Sequence, residues 1–380
     1  MSRYLSSDAL ARDLAIRDLS DPAQGQHALQ VVVDSVTQAL AQAWACDTQT
    51  GRESPVVSLD DNYELLGYAN DAVTRDVRYT RYVDAQHVLR SHSTAMIPAA
   101  LRALASKANP PHDVLLSYPG MCYRRDSVDW QHTGTPHQLD LWRIKHGTDA
   151  PITEADLEDQ IARVVTAALP GAPWRTIPAV HPYTTHGREI YAEWNGVWVE
   201  IGECGLAAPH VLRKSGLDPD EWTGTAMGMG IDRLVMLRKG IPDIRLLRST
   251  EPRIAGQMLD LSPYKAVSPL PPVRRDLSVV VGPDVEASDE LLGDRVRDAL
   301  GDDADVAETV EVLSETPYEQ LPQAAQERLG IQPGQRNVLV RLVLRPVDRT
   351  LTDEHANVLR DRVYAALHEG ANAEWTAVTA

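Results

Sequence analysis

Two adjacent arginines, Arg124 and Arg125, stand just before Asp126. A planar guanidinium can hold a phosphate through two parallel hydrogen bonds, and a neighbouring carboxylate can orient it. Further along, Gln138 and Asp140 would lie on one face of a strand, because strand side chains alternate with a two-residue period. Taken alone, this pattern favours a surface ion pair on a hairpin, so the phosphate interpretation needs support from residues elsewhere.

A glycine-rich turn provides that support. Gly228 and Gly230 allow a ligand to approach the backbone closely, because glycine has no side chain in the way. A helix is predicted from Ile231, which would place Arg233 in its first turn, beside the positive end of the helix dipole. This arrangement suits a triphosphate. A GxG turn before a helix is by itself a weak signal, since such turns also serve packing.

Two further segments contain polar groups. His92, Ser93 and Thr94 form a hydrogen-bonding triplet at the end of a predicted strand, a pattern that more often caps a helix or a turn. Residues 181–205 supply aromatic side chains and the carboxylates Glu189, Glu200 and Glu203. Four histidines raise the possibility of a zinc site, but neither HxxxH nor CxxC spacing supports it. Those histidines are His132, His137, His181 and His186.

The elements that would position these groups are predicted from apolar spacing. Residues 27–44 form an amphipathic helical pattern, and helical patterns recur at 94–107 and 152–169. Thr153 and Asp156 open the last of these as a variant of the capping box. Between the helices lie short apolar or alternating runs without regular βαβ alternation. This order favours an α+β fold in which helices pack against an antiparallel sheet.

The chain is predicted to divide near a proline-rich segment. Residues 262–272 hold four prolines among eleven residues, which is typical of a linker. Residues 273–380 are predicted as strand, helix, two strands and helix, an order compatible with a ferredoxin-like sandwich. The predicted parts are therefore an N-terminal helical segment at 1–53, a core domain at 54–261, the linker, and a C-terminal domain.

Composition narrows the class of protein. The 380 residues are 43% apolar, enough to bury a sizeable core, and the net charge is −17. An acidic chain does not bind nucleic acid by charge alone, so any RNA contact must be local. The three cysteines are too widely spaced for a disulfide framework or a paired zinc site. With no signal-peptide pattern and no apolar run of about 20 residues, the sequence predicts a soluble, cytoplasmic protein without a membrane partner.

In order and spacing, these segments resemble the signature motifs of phenylalanyl-tRNA synthetase, a class II aminoacyl-tRNA synthetase, and especially its single-chain, organellar type. LRSHST and YRRDSVDWQHTGTPHQLD resemble motif 2, and GMGIDRLVMLRKGIPDIRLL resembles motif 3. SPVVSLDDNYELL resembles the stretch ahead of motif 2, while PPVRRDLSVVV and LRPVDRTLTDEH resemble the anticodon-binding domain. The resemblance covers roughly residues 54–380. It implies the class II antiparallel sheet with flanking helices, followed by a ferredoxin-like anticodon-binding domain.

The resemblance also implies a reaction. The carboxylate of phenylalanine would attack the α-phosphorus of ATP, and a ribose hydroxyl of tRNA(Phe) would then accept the acyl group, with Mg2+ neutralising the phosphates. Arg124 would hold the α-phosphate and Arg233 the γ-phosphate as the catalytic pair, and Glu200 would be a metal ligand. The implied ATP-binding set is Arg124, Asp126, His132, Glu200, Gly230 and Arg233. The implied tRNA contacts are Arg274, Arg275 and Arg349.

The implied amino-acid pocket departs from the family's pattern. His181, Pro182 and Tyr183 stand where the family has a Phe-Pro-Phe triplet whose rings pack on the substrate ring. Ala226 keeps the small residue of the pocket floor, and Asp140 stands where the family has a glutamate near the ammonium group. Aromatic pairing contributes roughly 0.5–1.5 kcal/mol, so losing one ring weakens such a pocket without abolishing it. The implied amino-acid-binding set is Tyr82, His92, Thr94, Gln138, Asp140, His181, Tyr183 and Ala226.

Phenylalanine is absent from the chain, although 12 tyrosines and 8 tryptophans are present. One explanation is selection against phenylalanine codons, which would suit a backup enzyme made when charged tRNA(Phe) is scarce or its codons are misread. The other is that His181 hydrogen-bonds a polar ring substituent, so that the substrate is a modified phenylalanine. A paralogue with a non-tRNA acceptor, or a non-catalytic binding module, is a further alternative. The oligomeric state, monomer or homodimer, stays open.

Under phenylalanine starvation, we expect synthesis of this chain to fall less than that of ordinary proteins, because its message contains no phenylalanine codon. Pulse labelling in starved cells measures this, with a phenylalanine-containing protein of similar length as the control. An equally steep fall for both proteins would contradict the backup hypothesis.

Overall fold

The computed structural model describes residues 4–125, 129–265, 267, 270–346 and 349–372. Contacts within the chain separate two units. The first comprises Met1–Arg124, Thr135–Ile241 and Gly256–Tyr264, and the second comprises Arg125–Gly134, Pro242–Ala255 and Lys265–Ala380. The four-part division predicted from the sequence stays a prediction.

The first unit contains both helices and strands. Its helices are α1 (Ser7–Ala15), α2 (Ala28–Trp44), α3 (Ile97–Ala105), α4 (Glu154–Ala168), α5 (Pro209–Lys214) and α6 (Ile231–Lys239). Its strands are β1 (Asp47–Thr50), β2 (Val56–Ser58), β3 (His87–Leu89), β4 (Asp113–Met121), β5 (His137–His146), β6 (Trp174–Pro178), β7 (Thr184–Trp194), β8 (Val197–Ala207) and β9 (Trp222–Gly230).

Seven of these described strands form one sheet in the order β1-β4-β5-β9-β8-β7-β6. Neighbouring strands run antiparallel, except that β1 and β4 are parallel. β2 and β3 pair separately as a short antiparallel ribbon. The predicted α+β fold, a large antiparallel sheet with flanking helices, is confirmed.

Local sequence signals set the helix ends. The side chain of His27 accepts a hydrogen bond from the backbone N–H of Leu29 at 3.2 Å and so caps α2. Thr153 and Asp156 form the predicted capping box at the start of α4. The side chain of each residue accepts a hydrogen bond from the backbone N–H of the other. Both helices therefore begin where the sequence predicts them.

The helix predicted at 94–107 begins later than expected. Ser93–Met96 form a 3-10 turn, and α3 follows from Ile97 with Pro98 in its first turn. Proline is favoured there, because the N–H that it lacks would have no partner inside the helix. The polar triplet therefore lies on a buried turn ahead of the helix rather than in the helix itself.

The core of the first unit lies on both faces of the sheet. Helices α2, α4 and α6 pack against one another and against strands β4, β5 and β8. A second hydrophobic cluster joins Leu101 of α3 and Val211 of α5 to Trp142 of β5, Ala226 of β9 and Tyr183, which lies just before β7. None of the helices in the described part of the chain combines the length and the hydropathy needed to span a lipid bilayer.

The second unit contains a small sheet with two long helices. Its elements are α7 (Pro252–Ala255), β10 (Val273–Val281), α8 (Asp289–Leu300), β11 (Ala307–Pro317), α9 (Gln323–Leu329), β12 (Arg336–Leu344) and α10 (Asp353–Leu367). The sheet order is β10-β12-β11, with both pairs antiparallel.

Alternating strand residues form the core of this second sheet. Leu277 and Val279 of β10 and Val340 of β12 pack with Val296 of α8 and Leu359 of α10. This strand order agrees with the first three strands of the predicted ferredoxin-like sandwich, and the described residues contain no fourth strand. The assignment of this unit to anticodon binding stays a prediction.

Replacing Leu40 by alanine tests the packing of α2. Leu40 is fully buried, so Leu40→Ala should lower the free energy of unfolding by about 2–5 kcal/mol through lost burial and a residual cavity. Val31, on the same helix, is 36% exposed, and Val31→Ala should lower the free energy of unfolding by much less. Urea unfolding of both variants measures the difference, and equal losses would show that α2 is not anchored by this face.

Candidate active site

Three adjacent strands place two carboxylates on either side of a glycine. Asp140 of β5 and Glu203 of β8 both stand directly opposite Gly228 of β9. A Cβ atom at Gly228 would lie 3.9 Å from Asp140 Oδ2 and 3.9 Å from Glu203 Cγ. Because residue 228 is glycine, the space between the carboxylates stays open and forms a cleft, here called the Gly228 cleft.

A β-bulge brings a third carboxylate to the same face. Gly202 pairs with Ile190 and Glu200 with Tyr191, so β8 contains one residue more than β7 at this point. An extra residue reverses the alternation of side chains, and Glu200 and Glu203 then share a face despite their odd spacing. Burial raises the pKa of Glu200, and the nearby charge of Glu203 raises it further.

Two arginines lie close enough to Glu200 to affect its pKa. Arg233 Nη1 donates to the backbone carbonyl of Glu200 at 2.9 Å and lies 3.7 Å from its Oε2. Arg124 Nε donates to the carbonyl of Ser91 at 2.6 Å. Both arginines oppose the burial that raises the Glu200 pKa, so the carboxylate lies within the electrostatic reach of each. Gly230 ends β9 immediately before α6, which puts Arg233 in the first helical turn as predicted.

Asp140 is buried among donors. The hydroxyl of Ser93 donates to Asp140 Oδ2, the hydroxyl of Thr94 donates to the same oxygen at 3.3 Å, and Trp142 Nε1 donates to Oδ1 at 3.1 Å. Burial raises the pKa of Asp140 to about 7 in spite of these donors, and the charge of Glu203 adds to the rise. The carboxyl therefore holds or releases its proton near neutral pH.

The polar triplet lies beside this carboxyl. The backbone N–H of Ser93 donates to Gln138 Oε1 at 3.1 Å. The ring of His92 stacks on Tyr68 at 5.5 Å, and both of its ring nitrogens are buried without a hydrogen-bond partner. Burial, with the charge of Arg124 close by, lowers the pKa of His92 to about 3. His92 is therefore a neutral ring with a free donor and a free acceptor.

Aromatic rings close one end of the Gly228 cleft. Tyr183 stacks on Trp142 with centroids 6.1 Å apart, and its hydroxyl donates to Glu203 Oε1. His181 stacks on Tyr183 at 6.0 Å, and its Nε2 lies 3.2 Å from Glu203 Oε2. Ala226 is fully buried and pairs across the sheet with Trp142. The predicted pocket residues are brought together, but their rings are stacked on one another.

Tyr68 was not predicted from the sequence. It stacks on His92, and burial raises its pKa, with Glu203, Arg124 and Asp140 all close enough to contribute. Tyr68 follows Gly67 in a loop, and no local pattern distinguishes it from the other tyrosines. Glu203 was noted only as one of several carboxylates, since its position beside Gly228 depends on strand register.

Several predicted site residues are not joined to this cluster by the contacts described. The hydroxyl of Tyr82 donates to the carbonyl of Arg75 at 2.5 Å. His132 lies in the second unit, 2.7 Å from Asp129, and Asp126 lies outside the described residues. Their predicted roles in amino-acid and ATP binding stay predictions.

The predicted tRNA-binding arginines belong to the second unit. Arg274 lies on β10 opposite Val343, and Arg275 forms an ion pair with Asp353 at 2.8 Å. Arg349 lines a cavity of about 130 Å³ together with other polar residues of that unit. No described contact tests whether these side chains bind tRNA, so that role stays a prediction.

The carboxylates fit a magnesium ion that arrives with phosphates. Within the described ranges, no group of three His, Cys, Asp or Glu side chains is close enough to hold a metal unaided. Mg2+ is usually bound through one or two carboxylates plus substrate phosphates, so a complete protein cage is not required. Glu200 on β8 could supply one such carboxylate, and its role as a metal ligand stays a prediction.

Comparison with known proteins identifies a family. Residues 12–258 match the family of class II tRNA synthetase core domains (F). The chain belongs to this family.

Named relatives of this class II core are phenylalanine-tRNA ligase alpha subunits. That of Prochlorococcus marinus (strain MIT 9313) is 34% identical over 206 residues, 54% of this chain and 58% of the relative. That of Acaryochloris marina (strain MBIC 11017) is 28% identical over 257 residues, 67% of this chain and 75% of the relative. The chain thus spans little more than half the length of the first curated relatives it matches.

A solved structure is also similar to the class II core. The pyrrolysyl tRNA synthetase PylSc of Desulfitobacterium hafniense is 18% identical, and the match covers 58% of this chain and 73% of that chain. The TM-score is 0.44, so no argument rests on this likeness.

Replacing Asp140 by asparagine tests the buried proton. The pKa of Asp140 is about 7 in the folded chain and about 4 when unfolded, so the folded chain keeps a proton that the unfolded chain releases between those pH values. Stability contributed by this group is complete below pH 4 and is lost as the pH rises to about 7. Between pH 4 and pH 7 the Asp140→Asn variant should therefore lose less unfolding free energy than the wild type, by a few kcal/mol.

Urea unfolding at several pH values between 4.5 and 8 makes the measurement. Glu193→Gln, which changes an exposed carboxylate on β7, is the control and should keep the wild-type pH dependence. Parallel curves for wild type and Asp140→Asn would refute the raised pKa.

Proposed function

We propose that this chain activates a phenylalanine-type amino acid with ATP and transfers it to tRNA, as a phenylalanine-tRNA ligase of the single-chain, organellar-like type. Membership of the class II core family and the names of its relatives support the reaction class. The observation that carries the proposal is that Arg233 contacts Glu200, on the same sheet face as the Gly228 cleft, while the charge of Arg124 is close enough to lower the Glu200 pKa. Phosphate-binding cations and an amino-acid cleft are the two features that the reaction requires side by side.

In the first step the amino-acid carboxylate attacks the α-phosphorus and pyrophosphate leaves. Catalysis then consists mainly of positioning and of neutralising charge in the transition state. Arg124 would stabilise the α-phosphate oxygens, and Arg233 would hold the γ-phosphate beside the first turn of α6. A magnesium ion held by Glu200 would supply further positive charge to the phosphates.

The amino acid would be held by its ammonium group. Asp140 accepts that charge in its ionised form, with Ser93 and Thr94 fixing the carboxyl. Because the pKa of Asp140 is raised, binding of an ammonium group displaces its proton. Neutral His92 can donate one hydrogen bond and accept another without adding positive charge to the cleft.

In the second step a ribose hydroxyl at the end of tRNA attacks the acyl carbonyl, and AMP leaves. The second unit, with Arg274, Arg275 and Arg349, would bind the anticodon region. Because the net charge of the chain is −17, we expect tRNA to be bound through local contacts of this kind and not through a broad basic surface. We propose a cytoplasmic enzyme acting as a monomer or a homodimer.

The absence of phenylalanine from the chain supports a role as a backup enzyme when charged tRNA(Phe) is scarce. A second candidate is an enzyme that activates a modified aromatic amino acid for tRNA or for a non-tRNA acceptor, and the polar contacts of His181 and Tyr183 with Glu203 favour such a substrate. A non-catalytic binding module would not need two phosphate-binding arginines.

Exchange of pyrophosphate into ATP tests the proposed catalytic pair. Arg124→Ala and Arg233→Ala should each lower the amino-acid-dependent exchange rate by about 100-fold or more, because each removes a cation aimed at developing phosphate charge. Arg163→Ala is the control, since Arg163 pairs only with Asp159 on the surface of α4 among its described contacts. Exchange within about threefold of wild type in both site variants would refute the proposed roles.

A further inference from the structure

The carboxylate of Glu203 can accept more hydrogen bonds than the protein donates to it. Its Oε1 accepts the Tyr183 hydroxyl and its Oε2 faces His181 Nε2 at 3.2 Å, so each oxygen has one protein partner. A carboxylate offers about four acceptor positions. The side chain remains 39% exposed, and the strand register directs it toward the Gly228 cleft. At least one further donor can therefore reach Glu203 from the cleft.

The apolar end of the cleft is already filled by the protein's own rings. Trp142 is fully buried, Tyr183 is 1% exposed, and the two stack beside the buried Ala226. Gly228 has no side chain, and the atoms nearest to a Cβ placed there are Asp140 Oδ2 and Glu203 Cγ. A ligand ring placed beside Gly228 would therefore meet these carboxylates.

The energetic consequence depends on the ring. A plain hydrocarbon ring covers Glu203 and removes its water without replacing the lost hydrogen bond, which is unfavourable for a charged group. A ring with an O–H or N–H group replaces that water with a charge-assisted hydrogen bond. The nearby charge on Asp140 is mutually repulsive with that of Glu203, so a donor between them is favoured further.

We propose that Glu203, held by His181 and Tyr183, selects an aromatic amino acid whose ring bears a hydrogen-bond donor in preference to phenylalanine. The inference rests on the second of the two proposed functions, activation of a modified aromatic amino acid, since it names the substrate class of the same site. Glu203 is thus a specificity-determining residue that binds the ring substituent, while Asp140 binds the ammonium group.

Four ring-matched amino acids test the selection in the wild-type chain. Tyrosine and 4-aminophenylalanine carry a donor, 4-methoxyphenylalanine carries only an acceptor, and phenylalanine carries neither. In pyrophosphate exchange we expect kcat/KM for the two donors to exceed that of the other two by about 10–100-fold, the usual effect of one hydrogen bond to a charged group. Equal values, or a preference for phenylalanine, would overturn the inference.

Two variants locate the effect. Glu203→Gln should reduce the preference for the donor rings to about threefold or less, because the amide loses the charge. Glu193→Gln, on the exposed surface of β7, should leave it unchanged. A preference that survives Glu203→Gln intact would assign selectivity to another group and overturn the role of Glu203.

Calorimetric binding of the same four amino acids separates this inference from the proposed function. Donor-selective binding without any exchange would refute amino-acid activation while retaining Glu203 as the selecting residue. Exchange with no difference between the rings would retain activation and refute the selection. Absence of binding by all four amino acids would refute both.

Discussion

The register of β5, β9 and β8 is the constraint on which the candidate site depends. It sets Asp140 and Glu203 on either side of Gly228, at a position where the central strand has no side chain. A slip of one residue in either pairing would turn a carboxylate to the other face of the sheet. Helices packed on that other face oppose such a slip, because they require the apolar side chains to stay where they are.

The charges of the site are balanced only when its substrates are present. Asp140, Glu200 and Glu203 outnumber Arg124 and Arg233, and burial raises the pKa of both Asp140 and Glu200. An ammonium group and a cation accompanying the phosphates would each relieve this excess of negative charge.

Local sequence patterns predicted the parts of the structure that local physics determines. The cap at Thr153 and the position of Arg233 in the first turn of α6 follow from residues within a few positions of each other. Gln138 and Asp140 could be placed on one face of a strand for the same reason. The family resemblance added the pairing of distant motifs, which spacing alone does not contain.

What the sequence did not reveal depends on contacts between distant segments. The sheet order places β9 between β5 and β8, although β6 and β7 precede both β8 and β9 in the chain. The partners of Glu203 and the stacking of Tyr68 on His92 arise only from that order. The bulge in β8 is likewise invisible to a two-residue period, which assigns Glu200 and Glu203 to opposite faces.

Because of that bulge, the position of Glu200 depends more on the number of residues in β8 than on their identity. Loss of one residue between Glu200 and Glu203 would restore regular pairing and rotate the Glu200 side chain toward the layer where α4 and α6 pack on β8. An unpaired charge there would be costly, and the guanidinium of Arg233 would lose its neighbour. Over evolutionary time the chemistry of this strand can thus diversify by substitution, whereas single-residue insertions and deletions in it are selected against.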